Sequence, residues 1–270
     1  MAMKESDKVF AGSVPALYDR YLGPVIFEPY ALDLAARLGR WRPQRILEIA
    51  AGTGILSRAI ARQLPDSAIL ATDLNQPMLD HAVSQTKAVN VTYGQADAQA
   101  LPFDDGAFDA VVCQFRVMFF PDKPAAFAAA RRVLKPGGRY LFNVWDRIED
   151  NEFTYLAVET LAQLFPDNPP QFLARTPHGF HDKTVIARLL GEAGFSQIDI
   201  ETLALTSHAP SAREAAIGLC QGTPMRGEIE AQGPGQLERA TDAVAAALAR
   251  RFGQGAIEGR IQAVVVSASR

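Results

Sequence analysis

From Arg45 to Trp145 short apolar runs alternate with amphipathic stretches. The runs Arg45–Ala50, Ala68–Asp73, Val91–Gln95, Phe108–Gln114 and Arg139–Trp145 read as buried strands, because continuous apolar stretches of this length suit a sheet covered on both sides. Helical spacing fills the gaps at about Ile55–Leu64, Gln76–Lys87 and Lys123–Leu134. Pro65 stops the first of these and Pro77 sits in the first turn of the second. Pro136-Gly137-Gly138 ends the third, whose last turn carries Arg131 and Arg132 beside the negative dipole end. Strand–helix alternation predicts an α/β fold, a parallel sheet with helices on both faces. Ligands in such a sheet bind at the carboxyl ends of the strands.

The flanks are less regular. Residues 14–39 read as helical, with Leu17, Tyr21, Val25, Tyr30, Leu34 and Leu38 near one face and breaks at Pro24 and Pro29. Beyond Trp145 helices are predicted at Glu152–Leu164, Lys183–Ala193, Ala212–Leu219 and Leu237–Phe252, with strands at Ser196–Thr206 and at the closing GRIQAVVVSAS. No internal repeat is evident.

The chemistry concentrates at strand ends. ILEIAAGTG, Ile46 to Gly54, is a strand entering a small-residue turn, and the next strand, ILATD, ends on Asp73. A turn open to a ligand's backbone approach, followed by an acid that takes ribose hydroxyls, suits an adenosine-containing cofactor. A dinucleotide fingerprint would need a third glycine at position 57, where this chain has Ser57. S-adenosyl-L-methionine, which has no phosphate, fits better. Asp97 stands just past the third strand and Gln114 ends the fourth.

Composition narrows the setting. The chain has 270 residues, 48% of them hydrophobic, enough for one large domain or one domain with an elaborated cap. A net charge of −3 with scattered Lys and Arg argues against a nucleic-acid partner. The two cysteines, Cys113 and Cys220, point to a reducing compartment rather than a disulfide framework. The start, MAMKESDKVF, has no apolar signal region, and no run approaches a membrane span. A cytoplasmic, soluble protein is expected.

Four segments in order carry a family resemblance: ILEIAAGTG (46–54), ILATDLNQPML (69–79), YGQADAQALPFDDGAFDAVVCQF (93–115) and RVLKPGGRYLFNVW (132–145). The chain resembles the class I S-adenosylmethionine-dependent methyltransferases, in particular the small-molecule group that includes the ubiquinone and menaquinone biosynthesis methyltransferases. The resemblance implies a Rossmann-like seven-stranded, mostly parallel sheet with the last strand antiparallel between the fifth and sixth. It also implies an N-terminal helical lid (1–40) and a methyltransferase domain (41–270). That domain divides into a cofactor-binding core (41–150) and a substrate-side elaboration, about 147–252, inserted before the last strand. On the matching positions, Ala50, Gly52 and Gly54 would form the turn beside the methionine end, and Glu48 would orient its amides. Asp73 would hold the ribose; Leu74 and Met78 would flank the adenine. Asp97 and the Ala98 amide would meet its polar edge, and Gln114 would face the methionine end. Family members often carry glycine at position 50.

The implied activity is methyl transfer to an O, N or C nucleophile of a small, partly hydrophobic organic molecule; a homodimer is left open. The sulfonium makes the methyl group electrophilic, so holding donor and acceptor in line matters more than a compact catalytic cluster. Tyr18, Tyr21, His178 and His181 are candidates for acceptor contact or deprotonation, and Trp145 for a pocket wall. TPHGFHD places His178 and His181 three apart, but without a third ligand the spacing does not make a metal site. Arg116 stands where relatives often have a small residue and could take an anionic substrate group. Cys113, in the apolar run AVVC, reads as core. An NAD(P)-dependent oxidoreductase and a non-catalytic cofactor-binding module are the competing readings.

Overall fold

A computed structural model describes residues 14–270. Residues 1–13, the polar start of the expected lid, lie outside the described residues. Seven strands form one sheet in the order β3-β2-β1-β4-β5-β7-β6. They are β1 (Arg45–Ile49), β2 (Ala68–Asp73), β3 (Val91–Gln95), β4 (Phe108–Gln114), β5 (Leu134–Trp145), β6 (Ser196–Ala209) and β7 (Ile257–Ser269). The pairs β1–β2, β2–β3, β1–β4 and β4–β5 are parallel. Strand β7 runs against β5: the Arg270 amide donates to Gly138 O and the Asp146 amide to Gln262 O. The last strand is therefore antiparallel and lies between the fifth and sixth, as the resemblance implied.

The chain folds into two compact units. One comprises Tyr30–Val144, His181–Leu203 and Ala263–Arg270. Its centre is the parallel sheet, where Ile46, Leu47, Ile49, Val111 and Val112 are buried. Helices α3 (Ile55–Gln63), α4 (Gln76–Gln85), α5 (Lys123–Val133) and α8 (Lys183–Glu192) belong to this unit. Their starts have local causes. The Asn75 side chain caps α4, and Asp122 Oδ1 accepts the Ala125 amide at 2.9 Å to cap α5. Asp182 likewise caps α8. At the far end of α5, Arg132 does more than face the dipole: its guanidinium donates to the carbonyls of Phe103 (2.7 Å) and Leu101 (2.6 Å), clamping the loop before β4.

Strand β5 starts earlier than its sequence suggests. Leu134 pairs with Phe108, the chain swings out over Lys135–Gly138, and pairing resumes at Arg139 opposite Ala110. Gly137 makes the swing with φ +76°, and a Cβ on Gly138 would stand 2.8 Å from Lys135 O and 3.0 Å from Asp109 O. The glycines thus interrupt a strand rather than separate it from the helix.

Among the described residues, the other unit comprises 14–29, Trp145–Phe180 and Ala204–Gln262. It is mostly helical: α6 (Glu152–Leu164), α9 (Ala212–Gln221) and α11 (Gln236–Phe252) pack together, with short helices α7 (Phe172–Arg175) and α10 (Met225–Glu230). Near its start the single turn α1 (Val14–Leu17) leads into Tyr18–Phe27, which winds as a π-helix. Pro24 falls inside this segment, and the wider turn tolerates its missing N–H rather than breaking there. Gly259 is required by close packing, since a Cβ would stand 2.6 Å from the Phe153 ring.

Candidate active site

The turn after β1 is built from left-handed backbone. Ala50, Gly52 and Gly54 have φ of +54°, +58° and +78°, so glycine is the natural residue at each and Ala50 is held there at some strain. Crossing bonds fix the turn: the Ala51 amide donates to Thr72 O (2.8 Å) and the Gly54 amide to Ala51 O (3.0 Å). A Cβ on Gly54 would meet the Tyr93 hydroxyl at 2.7 Å, and one on Gly52 would meet Arg116 Nη2 at 3.1 Å.

Asp73 ties the second strand to this turn. Its Oδ2 accepts the Gly52 amide and its Oδ1 the Asn75 amide, both at 2.8 Å. The helix cap that follows is Asn75, so Asp73 is not explained by capping. The side chain is buried, yet each carboxylate oxygen keeps lone-pair capacity beyond the one amide it accepts. Asp97 stands two residues beyond Gln95, which pairs with Asp73 in the β2–β3 register. It is half-buried, and its Oδ1 accepts the Gln99 amide at 2.9 Å. Ala98 beside it is buried. Two carboxylates therefore stand at the same ends of neighbouring strands.

Beneath the turn lies a polar network. Glu48 is buried, and Ser57 Oγ donates to its Oε2 at 2.5 Å. Ser57 also bonds the Tyr93 hydroxyl, which shares a 2.7 Å hydrogen bond with Thr86. Burial pushes the Glu48 carboxyl up to about 8, against the opposing pull of the Ser57 hydrogen bond and the Arg58 charge. Burial thus favours the protonated form of Glu48. Ser57, read from sequence only as the absent third glycine, is its hydrogen-bond partner.

Leu74 is 61% exposed, an apolar surface left open next to Asp73, whereas Met78 is fully buried. Gln114 ends β4 opposite Asn143. The next residue, Phe115, is left-handed (φ +50°), with its amide held by Asn143 Oδ1 at 3.0 Å. Tyr30 packs edge-on against the Phe115 ring at 5.2 Å. Asn143 was not singled out by the sequence reading, although a polar residue inside the apolar run FNVW is the signal for it. Its Nδ2 is buried without a partner among the described residues, a donor available to a ligand at this end of the sheet. Arg116 is half-buried, near Gly52 and over the Phe119 ring at 5.5 Å.

The acceptor candidates divide between the units. His181 is half-buried in the unit that holds the turn. In the helical unit, His178 is buried with Nδ1 2.8 Å from Asp146 O, and its ring lies 6.0 Å from Trp145. Trp145 is followed by Phe27 at 5.9 Å, and Tyr18 stacks on Phe27 at 4.6 Å. Tyr21 lies under the Arg20 guanidinium at 5.1 Å. Only glycine fits position 179 beside His178, because a Cβ there would overlap Arg175 O. Among the described residues no three His, Cys, Asp or Glu side chains gather as a metal site. Cys113 and Cys220 are buried free thiols; burial raises the first strongly and pushes the second up to about 12, so neither is a nucleophile.

Residues 46–138 match the methyltransferase domain family. The chain is 31% identical over 186 residues to the ubiquinone/menaquinone biosynthesis C-methyltransferase of Saccharophagus degradans, covering 64% of this chain and 74% of that one. Over 113 residues it is 42% identical to the demethylmenaquinone methyltransferase of Thermus thermophilus, covering 40% of this chain and 49% of the relative. Among solved structures, the Haemonchus contortus phosphoethanolamine N-methyltransferase 2 in complex with S-adenosyl-L-methionine has a TM-score of 0.62 at 19% identity, covering 98% of this chain and 58% of that one; this likeness supports the fold. With the strand order, the turn and these relatives agreeing, the chain belongs to the class I S-adenosylmethionine-dependent methyltransferases, the small-molecule enzymes of this fold.

Proposed function

We propose that this enzyme seats S-adenosylmethionine along the carboxyl ends of β1, β2, β3 and β4 and methylates a small, partly hydrophobic acceptor. The single observation that carries the reading is the Asp73 carboxylate, fixed by the Gly52 and Asn75 amides. A carboxylate so held presents its remaining lone pairs to a ribose diol without first ordering itself. The small-residue turn and the orphaned Asn143 Nδ2 fit the same ligand. Ala50, Gly52 and Gly54 line its methionine end, with Glu48 holding the turn through Ser57 and Gln114 at the end of β4. Leu74 and Met78 supply apolar surface for the adenine, and Asp97 with the Ala98 amide meets its polar edge.

When bound, the cofactor supplies an electrophilic methyl group on a sulfonium. The chain's own residues then orient the acceptor and hold its proton. His178 is suited to holding that proton. Its Nδ1 lies 2.8 Å from Asp146 O, a contact that orients the ring. The aromatic row of Trp145, Phe27 and Tyr18 supports a ring-bearing acceptor, and hydroxylated aromatic compounds are the class to screen first. The relatives named above as ubiquinone and menaquinone C-methyltransferases point the same way. No helix among the described residues is long and apolar enough to cross a membrane, and we take the enzyme to be cytoplasmic.

Calorimetry with S-adenosylhomocysteine tests the cofactor seat. Asp73→Ala removes both acceptors and should weaken binding by 100-fold or more, on the order of 3 kcal/mol for two charge-assisted hydrogen bonds. A folded variant with wild-type affinity would defeat the assignment.

A further inference from the structure

A second concave site lies at the opposite ends of the same strands. The start of β1, Asp109 near the start of β4 and the Lys135–Gly138 excursion wall a recess of about 470 Å³, within the size range of small-ligand pockets. Its charged and aromatic lining comprises Arg40, Trp41, Arg42, Asp109, Lys135 and Arg139. The lone acid of this group is already saturated. Asp109 Oδ1 accepts Lys135 Nζ at 2.6 Å, and Oδ2 accepts the amides of Gln44 (3.1 Å) and Arg45 (2.8 Å). The guanidiniums of Arg40, Arg42 and Arg139 have no carboxylate partner among the described residues. The Arg139 guanidinium stands over the Trp41 indole, 4.8 Å from the ring centroid. In a protein of net charge −3 this is a local concentration and not general basicity.

Arg42 adds an independent sign. It closes helix α2 (Glu28–Trp41) in the left-handed conformation, φ +50°, with its amide bonded to Leu38 O at 3.1 Å. Glycine or asparagine is favoured at such a helix end. A long cation held there opposes the local backbone preference, and such conflicts cluster where a side chain is needed for a ligand.

We propose that this recess binds a phosphate-bearing small molecule, its phosphate oxygens taken by the guanidiniums of Arg40, Arg42 and Arg139. The planar fork of arginine matches phosphate oxygens in pairs, and several unpaired guanidiniums around one cavity call for an anion with more than one charge. The half-buried Trp41 gives an attached ring or glycerol backbone an apolar wall. The phosphate can come from a soluble phosphorylated compound or from an anionic lipid headgroup. The site is independent of the methyl-transfer reading.

The full chain is titrated with inorganic pyrophosphate in a calorimeter and sedimented with phosphatidylglycerol vesicles against phosphatidylcholine vesicles. Wild type should bind at least one phosphate probe saturably. The double variant Arg42→Ala with Arg139→Ala should lose at least 10-fold in affinity, while Arg250→Ala, a substitution on α11 that does not line the recess, should not. Pyrophosphate binding without vesicle binding assigns a soluble ligand; selective vesicle binding assigns a headgroup. Arg42→Gly separates binding from folding: it relieves the left-handed arginine, so its melting temperature should rise by up to about 3 °C while phosphate affinity falls. Failure of both probes to bind wild type, or equal binding by wild type and the double variant, overturns the proposal, as does an Arg42→Gly protein that keeps full phosphate affinity.

Discussion

Replacing Glu48 by glutamine tests the electrostatics under the cofactor turn. Glu48 is buried, and its carboxyl is raised from an ordinary value of 4.5 to about 8. The folded state therefore binds this proton more tightly than the unfolded state. The stabilisation from that proton is complete below about pH 4.5 and is lost as pH rises through about 8. At about 1.4 kcal/mol per pH unit the full span is on the order of 5 kcal/mol, and roughly 3 kcal/mol of it is gone by pH 7. Glutamine reproduces the neutral acid: its amide oxygen can accept from Ser57 Oγ and its NH2 stands where the carboxyl O–H stood. Urea unfolding of wild type and Glu48→Gln at half-unit steps from pH 4.5 to 8.5 reads the difference directly. The wild type should lose stability with rising pH relative to the variant, and the variant should be the more stable protein at pH 8. Parallel stability curves for the two proteins across that window would refute a neutral Glu48.

Two further outcomes are expected. Gly54→Ala forces a side chain onto φ +78° and against the Tyr93 hydroxyl, 2.7 Å from the new Cβ; it should cost roughly 2–3 kcal/mol, and a melting temperature within a degree of wild type would contradict this packing. His178→Gln should lower kcat by about 100-fold. This is measured as S-adenosylhomocysteine release with phenolic acceptors, and the cofactor KM should not move. An unaltered kcat would remove His178 from the chemistry.

The central sheet was legible because β1, β2 and β4 are buried on both faces and therefore read as unbroken apolar runs with sharp ends. Strand β2, Ala68–Asp73, and helix α6, Glu152–Leu164, match their expected limits. Where the reading slipped, a local signal was outweighed by its context. Pro136-Gly137-Gly138 has the composition of a terminator, yet Leu134 already pairs with Phe108, a contact no short window reveals. Pro24 reads as a break, but the π-helical wind of Tyr18–Phe27 carries through it. Short helices α7 and α10 were missed because four to six residues do not establish a period. At the site, Glu48, the turn and both acids were visible as a motif. Tyr93 and Asn143 were not, since each acts through a partner distant in the chain: Tyr93 through Ser57, Asn143 through Phe115.

The clamp that Arg132 places on Leu101 and Phe103 has a consequence for motion. It fastens the segment leading from Asp97 to β4 onto the end of α5, so that segment cannot swing as a hinge without giving up three charge-assisted contacts, the third being the Arg132–Asp105 ion pair at 2.7 Å. The stretch of chain that follows Asp97 is accordingly fastened at this point.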